Sequence, residues 1–331
     1  MATLREVFNK PLVESLLAAD PVKATKFWSS GAFQSDGRIS RLIASGSQGF
    51  EVPSIMEIDA NLESNYSNTI YTDIAEPRMI GAKTMKGLMA YENEAFTEAS
   101  LAKYLENGIE GLALIAPQID AMWATKAEHR AVATLVGLRN HDQANGKKIT
   151  TEVAVPFSYA SFLDAEGTMP EALQGRGILV VHPVVAVEMR KAQMLIPFTD
   201  PSNLRTVDTY NGRTVVVTKE GTVTKTGSTV KYVSYLANMG AFAAESVADA
   251  EDLELARDAS RGNGGGFTTL WTRRNVLVHP MGYSFLGTTL TGGTKNEAIS
   301  ASLSDLALAA NWQLALDAEK VPFRILVTTA V

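Results

Sequence analysis

The sequence predicts a mixed α+β protein assembled from distinct parts: an arm, a long hairpin, one long helix and a mixed domain. Three observations carry this. Residues 118–143 keep helical periodicity throughout. The 117 residues before them contain extended segments and short amphipathic pieces that cannot bury their own apolar side chains. From residue 151 onward, strand-like and helix-like segments alternate irregularly without an internal repeat.

The long helix organises the rest. Ile119, Trp123, Ala127, Ala131, Leu135 and Leu138 recur at steps of three and four, which puts them on one face. Met122, His129, Val132 and Val136 line a neighbouring face, so the helix needs cover on two sides. Pro117 has no N–H for the carbonyl of residue 113; it either opens the helix at its first turn or kinks it. Asn145-Gly146 supplies residues that tolerate the left-handed conformation of a helix end.

In chain order, residues 11–17 and the segment opened by Asp20-Pro21 are expected as short helices. They carry Phe8, Leu12, Leu16, Phe27, Trp28 and Phe33, which must lie on the protein's own body or on a neighbouring subunit. Residues 50–59 and 79–88 read as two strands around a polar tip that includes Asn61, Tyr66, Tyr71 and Asp73. An isolated hairpin is barely stable in water, so this one requires an external surface. A short helix is expected over 97–105, stopped by Asn107-Gly108.

In the second half, residues 178–181 form a buried strand, and His182-Pro183 opens a helix reaching Met194. Asn211-Gly212 marks a turn before a strand over 213–219. A polar loop precedes a strand ending at residues 235–237. The acidic run 249–258 reads as a solvated helix face, and GNGGG at 262–266 as a surface loop. A strand pair surrounds His279-Pro280-Met281-Gly282; a helix over 296–317 and a strand over 323–328 complete the chain.

The chemistry of the sequence is quiet. With no cysteine, thiolate catalysis, disulfides and Cys-based zinc sites are excluded. His129, His141, His182 and His279 show no metal-ligand spacing; His182 and His279 read as capped strand ends before proline. The glycine cluster lies between a helix-like segment and a strand, the reverse of the order a phosphate loop requires. No nucleophile–base set is visible, and no metal or cofactor is expected. A formal net charge of −6 argues against a surface that grips nucleic-acid phosphates everywhere, but not against a wall that merely faces nucleic acid. No stretch reaches the roughly 20 apolar residues of a membrane span, and the N-terminus lacks a secretory pattern. These features lead to the expectation of a soluble protein made in cytoplasm.

Seven segments, in this order, carry a resemblance: LREVFN, MWATKAEH, VVHPVVAVEMRKAQML, TYNGRTVVV, YLANMGAFAAE, RRNVLVHPMGYSF and NWQLALDAEKVPFRILV. Together with the order of parts, they resemble the major capsid proteins of tailed bacteriophages with the Hong Kong 97-type fold. The resemblance implies an N-terminal arm (1–48), an extended loop (49–90) and a peripheral domain (91–150 and 266–290). It further implies an axial domain (151–265) and a C-terminal segment (291–331) packed on both domains. The implied function is structural and non-enzymatic: pentamers and hexamers closing into an icosahedral head around double-stranded DNA. Portal and scaffolding proteins are the implied partners, decoration proteins and a covalent cross-link are left open, and assembly takes place in the host cytoplasm. A same-fold nanocompartment enclosing an enzyme cargo is the alternative.

Overall fold

The long periodic segment folds as a single helix, α1 (Ile109–Ala144), of 36 residues and about 54 Å in length. In this computed structural model, the described residues are 27–35, 49–55, 63–75, 77, 81–97, 109–199, 206–226, 229–288, 290–292 and 300–330. Pro117 lies inside α1, not at its first turn, so the helix starts upstream of the expected position. At the other end Gly146 takes φ +96°, while Asn145 donates to the His141 carbonyl (3.1 Å) and Lys147 to that of Asp142 (2.8 Å). The Asp142 carboxylate then accepts from the amides of Lys148 (2.9 Å) and Ile149 (3.1 Å), turning the chain out of the helix.

Before α1 come β1 (Phe33–Gln34), β2 (Gly49–Ile55), β3 (Ala82–Leu88) and β4 (Ala90–Thr97). β2 and β3 form the expected antiparallel hairpin, from the Gly49–Leu88 pair to the Ile55–Ala82 pair. Its root rests on the body through Phe50, Val52 and Met85, which cluster with Met89, Ala243 and Leu277. Gly87 makes room for the Phe50 ring; a Cβ there would lie 2.0 Å from it. β4 replaces the start of the helix expected over 97–105, because residues 90–97 complete a ladder with a distant strand; residues 98–105 lie outside the described residues. The expected helices over 11–17 and after Asp20 also fall outside them. Within 27–35, Phe27 and Phe33 are buried in the protein's own core, with Phe33 stacked on Phe242 at 4.8 Å.

After α1 follow β5 (Thr150–Glu152), α2 (Tyr159–Glu166), β6 (Ile178–Val181), α3 (Pro183–Lys191), β7 (Ile196–Thr199), β8 (Thr206–Tyr210), β9 (Arg213–Val217), β10 (Val223–Thr226) and β11 (Thr229–Ala237). The chain continues through β12 (Phe242–Asp258), β13 (Phe267–Pro280), β14 (Tyr283–Phe285), α4 (Leu303–Ala307), β15 (Trp312–Leu314) and β16 (Phe323–Thr329). One sheet has the order β5-β16-β11-β6-β9-β8-β7, with β10 also on β11. On one face Ile178, Val180, Tyr235 and Ile325 meet Ala131, Leu135 and Leu138 of α1. On the other, Leu179, Val181, Leu236 and Leu326 meet Phe162 of α2 and Val185 and Met189 of α3. Coverage on both faces explains why all four residues of β6 are buried and apolar. α2 begins with a reciprocal Ser158–Ser161 capping box. α3 begins with His182, whose side chain accepts from the Val184 amide, and Pro183. It stops at Lys191, short of the expected Met194, where the chain turns through Gln193 at φ +54°. Asn211 (φ +46°) and Gly212 (φ +77°) form the expected tight turn, although β9 ends at Val217, not at residue 219.

Three other expectations are overturned. Residues 249–258 are strand, not helix: β12 pairs with β13 along its length, with a register shift between Ala248 and Leu253. The glycine cluster is the turn joining these strands, with Gly265 donating to Gly262 (3.1 Å) and Gly266 to Arg261 (2.9 Å). β13 and β14 flank the expected turn at Met281-Gly282, yet they pair with other strands, β13 with β12 and β4, β14 with β15. The helix expected over 296–317 is α4, a short 3-10 turn (Ala309–Asn311) and β15; residues 293–299 lie outside the described residues. Gly137 of α1 lets α4 approach closely: a Cβ there would come within 1.9 Å of the Leu306 carbonyl.

Asp305 pins this crossing. Its fully buried carboxylate accepts from the amides of Thr291 (3.1 Å), Gly292 (3.0 Å) and Ser302 (2.9 Å), and from both hydroxyls of Thr291 and Ser302 (2.8 Å each). Burial alone would raise its pKa, but the hydrogen bonds from Ser302 and Thr291 prevail and hold it at about 2. A depressed carboxyl pKa stabilises the fold above the unfolded value of about 4, and that stability is lost as pH falls toward 2. Asp305→Ala is therefore expected to lower stability by about 1–3 kcal/mol at neutral pH and to flatten the acid limb. Urea melts at several pH values check this; an unchanged acid limb would contradict it.

Candidate assembly surface

Two features define the candidate site: the strip of apolar side chains beyond the hairpin and the helix that holds the rest of the subunit together. Past β2, residues 63–75 carry four large apolar side chains that the protein's own body leaves uncovered. Tyr66 is 77% exposed, Ile70 58%, Tyr71 101% and Ile74 88%. The segment braces itself with polar contacts. Tyr66 donates to Glu63 (2.6 Å), Asn68 to Asp73 (2.6 Å), and the Ile70 amide to the Asn68 side-chain oxygen Oδ1 (2.9 Å). These bonds order the loop without burying it, so its apolar surface is available to another molecule. Of the four tip residues singled out from sequence, Tyr66, Tyr71 and Asp73 lie in this exposed loop; Asn61 lies outside the described residues.

On α1, Ile119, Trp123, Ala127, Ala131, Leu135 and Leu138 are all buried. Trp123 donates from Nε1 to the Thr272 hydroxyl at 3.0 Å, joining the helix to β13. The neighbouring face is only partly covered: Met122, Val132 and Val136 are half-buried, while His129 is exposed and faces Glu220 at 3.5 Å.

Charged residues between the apolar rows carry connections that the sequence does not advertise. Glu128 accepts from the amides of Phe27 (2.9 Å) and Trp28 (2.8 Å), fastening the N-terminal segment to the helix. Burial pushes the Glu128 pKa up, against the opposing pull of those two amides. Arg130 spans Glu92 of β4 (3.1 Å) and the Ala301 carbonyl (2.9 Å). Asp120 pairs with Arg274 of β13 at 3.3 Å, and burial raises its pKa against that pairing. One helix thus ties together four separated stretches of chain. The only local hint was polar residues interrupting an apolar helical run.

The histidines are scattered. His141 Nδ1 lies 3.2 Å from the Ala309 carbonyl, His182 caps α3, and His279 is buried against Phe50. Among the described residues, no three His, Cys, Asp or Glu side chains gather as a metal site, and no helix is long and apolar enough to cross a membrane.

This architecture has a counterpart among solved structures. The head structure of Helicobacter pylori bacteriophage KHP40 superposes with a TM-score of 0.51 over 95% of this chain and 93% of that one, at 10% identity. The chain has the Hong Kong 97-type capsid fold. Also similar are the capsid of an empty GTA particle (TM-score 0.49, 10% identity, 93% and 97% covered) and Mycobacterium phage Adephagia (0.45, 14%, 99% and 97%). The fold assignment rests on the KHP40 head structure. No protein-family model and no curated protein matches the sequence. Within the Hong Kong 97-type fold, the described hairpin, long helix and mixed sheet follow the order in which the sequence arranges them.

Proposed function

We propose that the protein is the major capsid protein of a tailed phage, a non-enzymatic subunit that assembles into pentamers and hexamers and closes an icosahedral head around double-stranded DNA. The observation that carries this reading is the exposed apolar strip of Tyr66, Ile70, Tyr71 and Ile74, on a chain whose fold is that of a phage head protein. Side chains of this size left in water are a standing cost unless a neighbour covers them. In a closed shell every subunit meets an identical neighbour, so one exposed loop per copy satisfies all contacts of that type. Many modest contacts repeated around the shell then add by multivalency.

The parts divide accordingly. Residues 1–48 serve as the arm, 49–90 as the extended loop, 91–150 with 266–290 as the peripheral domain, 151–265 as the axial domain, and 291–331 as a segment packed on both. DNA faces the inner wall without sequence-specific contacts, consistent with the net charge of −6. Portal and scaffolding proteins complete the particle, and the virion is its final location.

Replacing residues 63–75 by a short Gly-Ser linker tests the reading. Because these side chains bury nothing in the subunit, the variant should melt like the parent. It should yield no normal particles by negative-stain microscopy. Normal particles from the variant would refute an inter-subunit role for the loop. Nuclease-protected DNA in native particles separates a phage head from a protein-cargo compartment.

A further inference from the structure

The hairpin root rests on a histidine whose Nε2 makes no hydrogen bond among the described residues. His279, near the end of β13, is 1% exposed, and its Nε2 has no partner among the described residues. Its ring meets Phe50 of β2 edge-on, with centroids 5.4 Å apart and planes at 77°. Phe50, in turn, belongs to the small cluster that docks the hairpin: Phe50, Val52 and Met85 on its side, Met89, Ala243 and Leu277 beneath. Ala243 is the cross-strand partner of His279, and Leu277 lies two residues away on the same face of β13.

We propose that His279 is an acid-sensitive joint: neutral, it keeps the root of the β2–β3 hairpin docked on the body; protonated, it releases that root while the central sheet stays folded. Adding a proton places a charge beneath Phe50 in a site that offers it little compensation. The ring contact with Phe50 and the cross-strand partner Ala243 are apolar. From β12 the facing positions are Ala243 and, one step diagonally, Glu245, whose carboxylate is engaged by the Ser35 hydroxyl. From the hairpin, Glu51 and Lys86 pair with each other at 3.1 Å with more than half of each side chain exposed. At the rim, Lys83 faces Asp317 at 3.5 Å, and Tyr91 packs against the edge of the cluster. None of these carboxylates is a hydrogen-bond partner of His279 Nε2. Burial accordingly lowers the His279 pKa from 6.5 to about 4.

The sign follows from linkage. A histidine held neutral stabilises the docked state above its unfolded pKa, and that contribution is lost as pH falls from about 6.5 toward 4. With those two pKa values, the equilibrium for opening the root should rise by about 100-fold between pH 7 and pH 4. The cluster is distinct from the two larger cores; Leu88, which packs on one of them, and the Lys86 amide, bonded to the Ser284 hydroxyl (3.1 Å), are the further contacts that break when the root opens.

Hydrogen exchange on the wild-type subunit, corrected for intrinsic rates, reads this directly. Amides of β2 and β3 should lose protection on acidification by about 100-fold while those of β11 and β16 keep theirs. His279→Phe preserves an aromatic partner for Phe50 and cannot be protonated; it should hold the β2–β3 amides protected across the same range. His279→Leu serves if the larger ring does not fit, and Glu245→Gln should leave the acid response intact. Wild-type protection of β2–β3 persisting to pH 4, simultaneous loss in β16, or an acid response surviving in the His279 variants would each overturn the proposal. The effect resides within one subunit, so it stands or falls independently of shell assembly.

Discussion

Glu166→Ala is expected to destabilise the subunit by about 3–5 kcal/mol, because it strands a guanidinium with no access to water. Arg213 is fully buried, and its Nε donates to Glu166 at 2.9 Å. The same carboxylate also accepts from the Gly175 amide (2.9 Å) and the Asn211 side chain (2.7 Å). The rest of the guanidinium reaches Asn238 (3.3 Å) and the Leu173 carbonyl (3.2 Å), neutral acceptors that leave the positive charge unbalanced. Burial lowers the Arg213 pKa, and the hydrogen bond and charge of Glu166 counter only part of that. Replacing both residues with methionine should cost less than Glu166→Ala alone, since no buried charge remains. Chemical denaturation of the two variants checks the ordering. A Glu166→Ala loss below about 1 kcal/mol would mean that water reaches Arg213.

Trp123→Ala should cost a similar amount, about 3–5 kcal/mol, through the cavity it leaves between α1 and β13. The indole is 3% exposed, and its N–H is the partner of the buried Thr272 hydroxyl. Trp123→Phe should recover most of the packing and lose roughly 1 kcal/mol for the missing hydrogen bond. Trp123→Glu should exceed both, because an unpaired carboxylate would enter the core. Melting of the unassembled subunit and particle yield must be measured together. Unchanged melting with lost yield would place Trp123 in a contact between subunits, against its burial within one chain.

The legible parts of this fold were those decided by neighbours in sequence. The tight turn at Asn211-Gly212, the uninterrupted apolar run of β6 and the three-four spacing along α1 are local patterns with local causes. β12 was misread because its acidic residues follow no two-residue alternation across the register shift between Ala248 and Leu253. Its conformation is imposed by β13, and tertiary pairing overrides propensity. The segment after residue 300 was misread for a related reason: its contacts are with distant residues such as Gly137 of α1, not with its sequence neighbours. In the candidate site, the apolar face of α1 was visible in the periodicity, whereas Glu128 was not, since its partner amide at Phe27 lies 101 residues away. Tyr66 and Tyr71 of the exposed loop were singled out from its place at the hairpin tip, whereas Ile70 and Ile74, in a polar, turn-rich stretch, were not.

The position of β16 has a consequence for the order in which the molecule is made. This strand enters between β5 and β11, running parallel to the first and antiparallel to the second, yet it is the last strand in chain order. A ribosome delivers residues from the N-terminus, so while residues 323–329 are still inside the exit tunnel the sheet has an empty slot between its edge strand β5 and β11. β5 lacks its partner, β11 lacks the longest of its three partners, and the apolar surface meant for Ile325 and Leu326 is open. Until this strand is delivered, the sheet that packs on α1 stays incomplete, and its open apolar face and unpaired edges are the nascent chain's point of vulnerability.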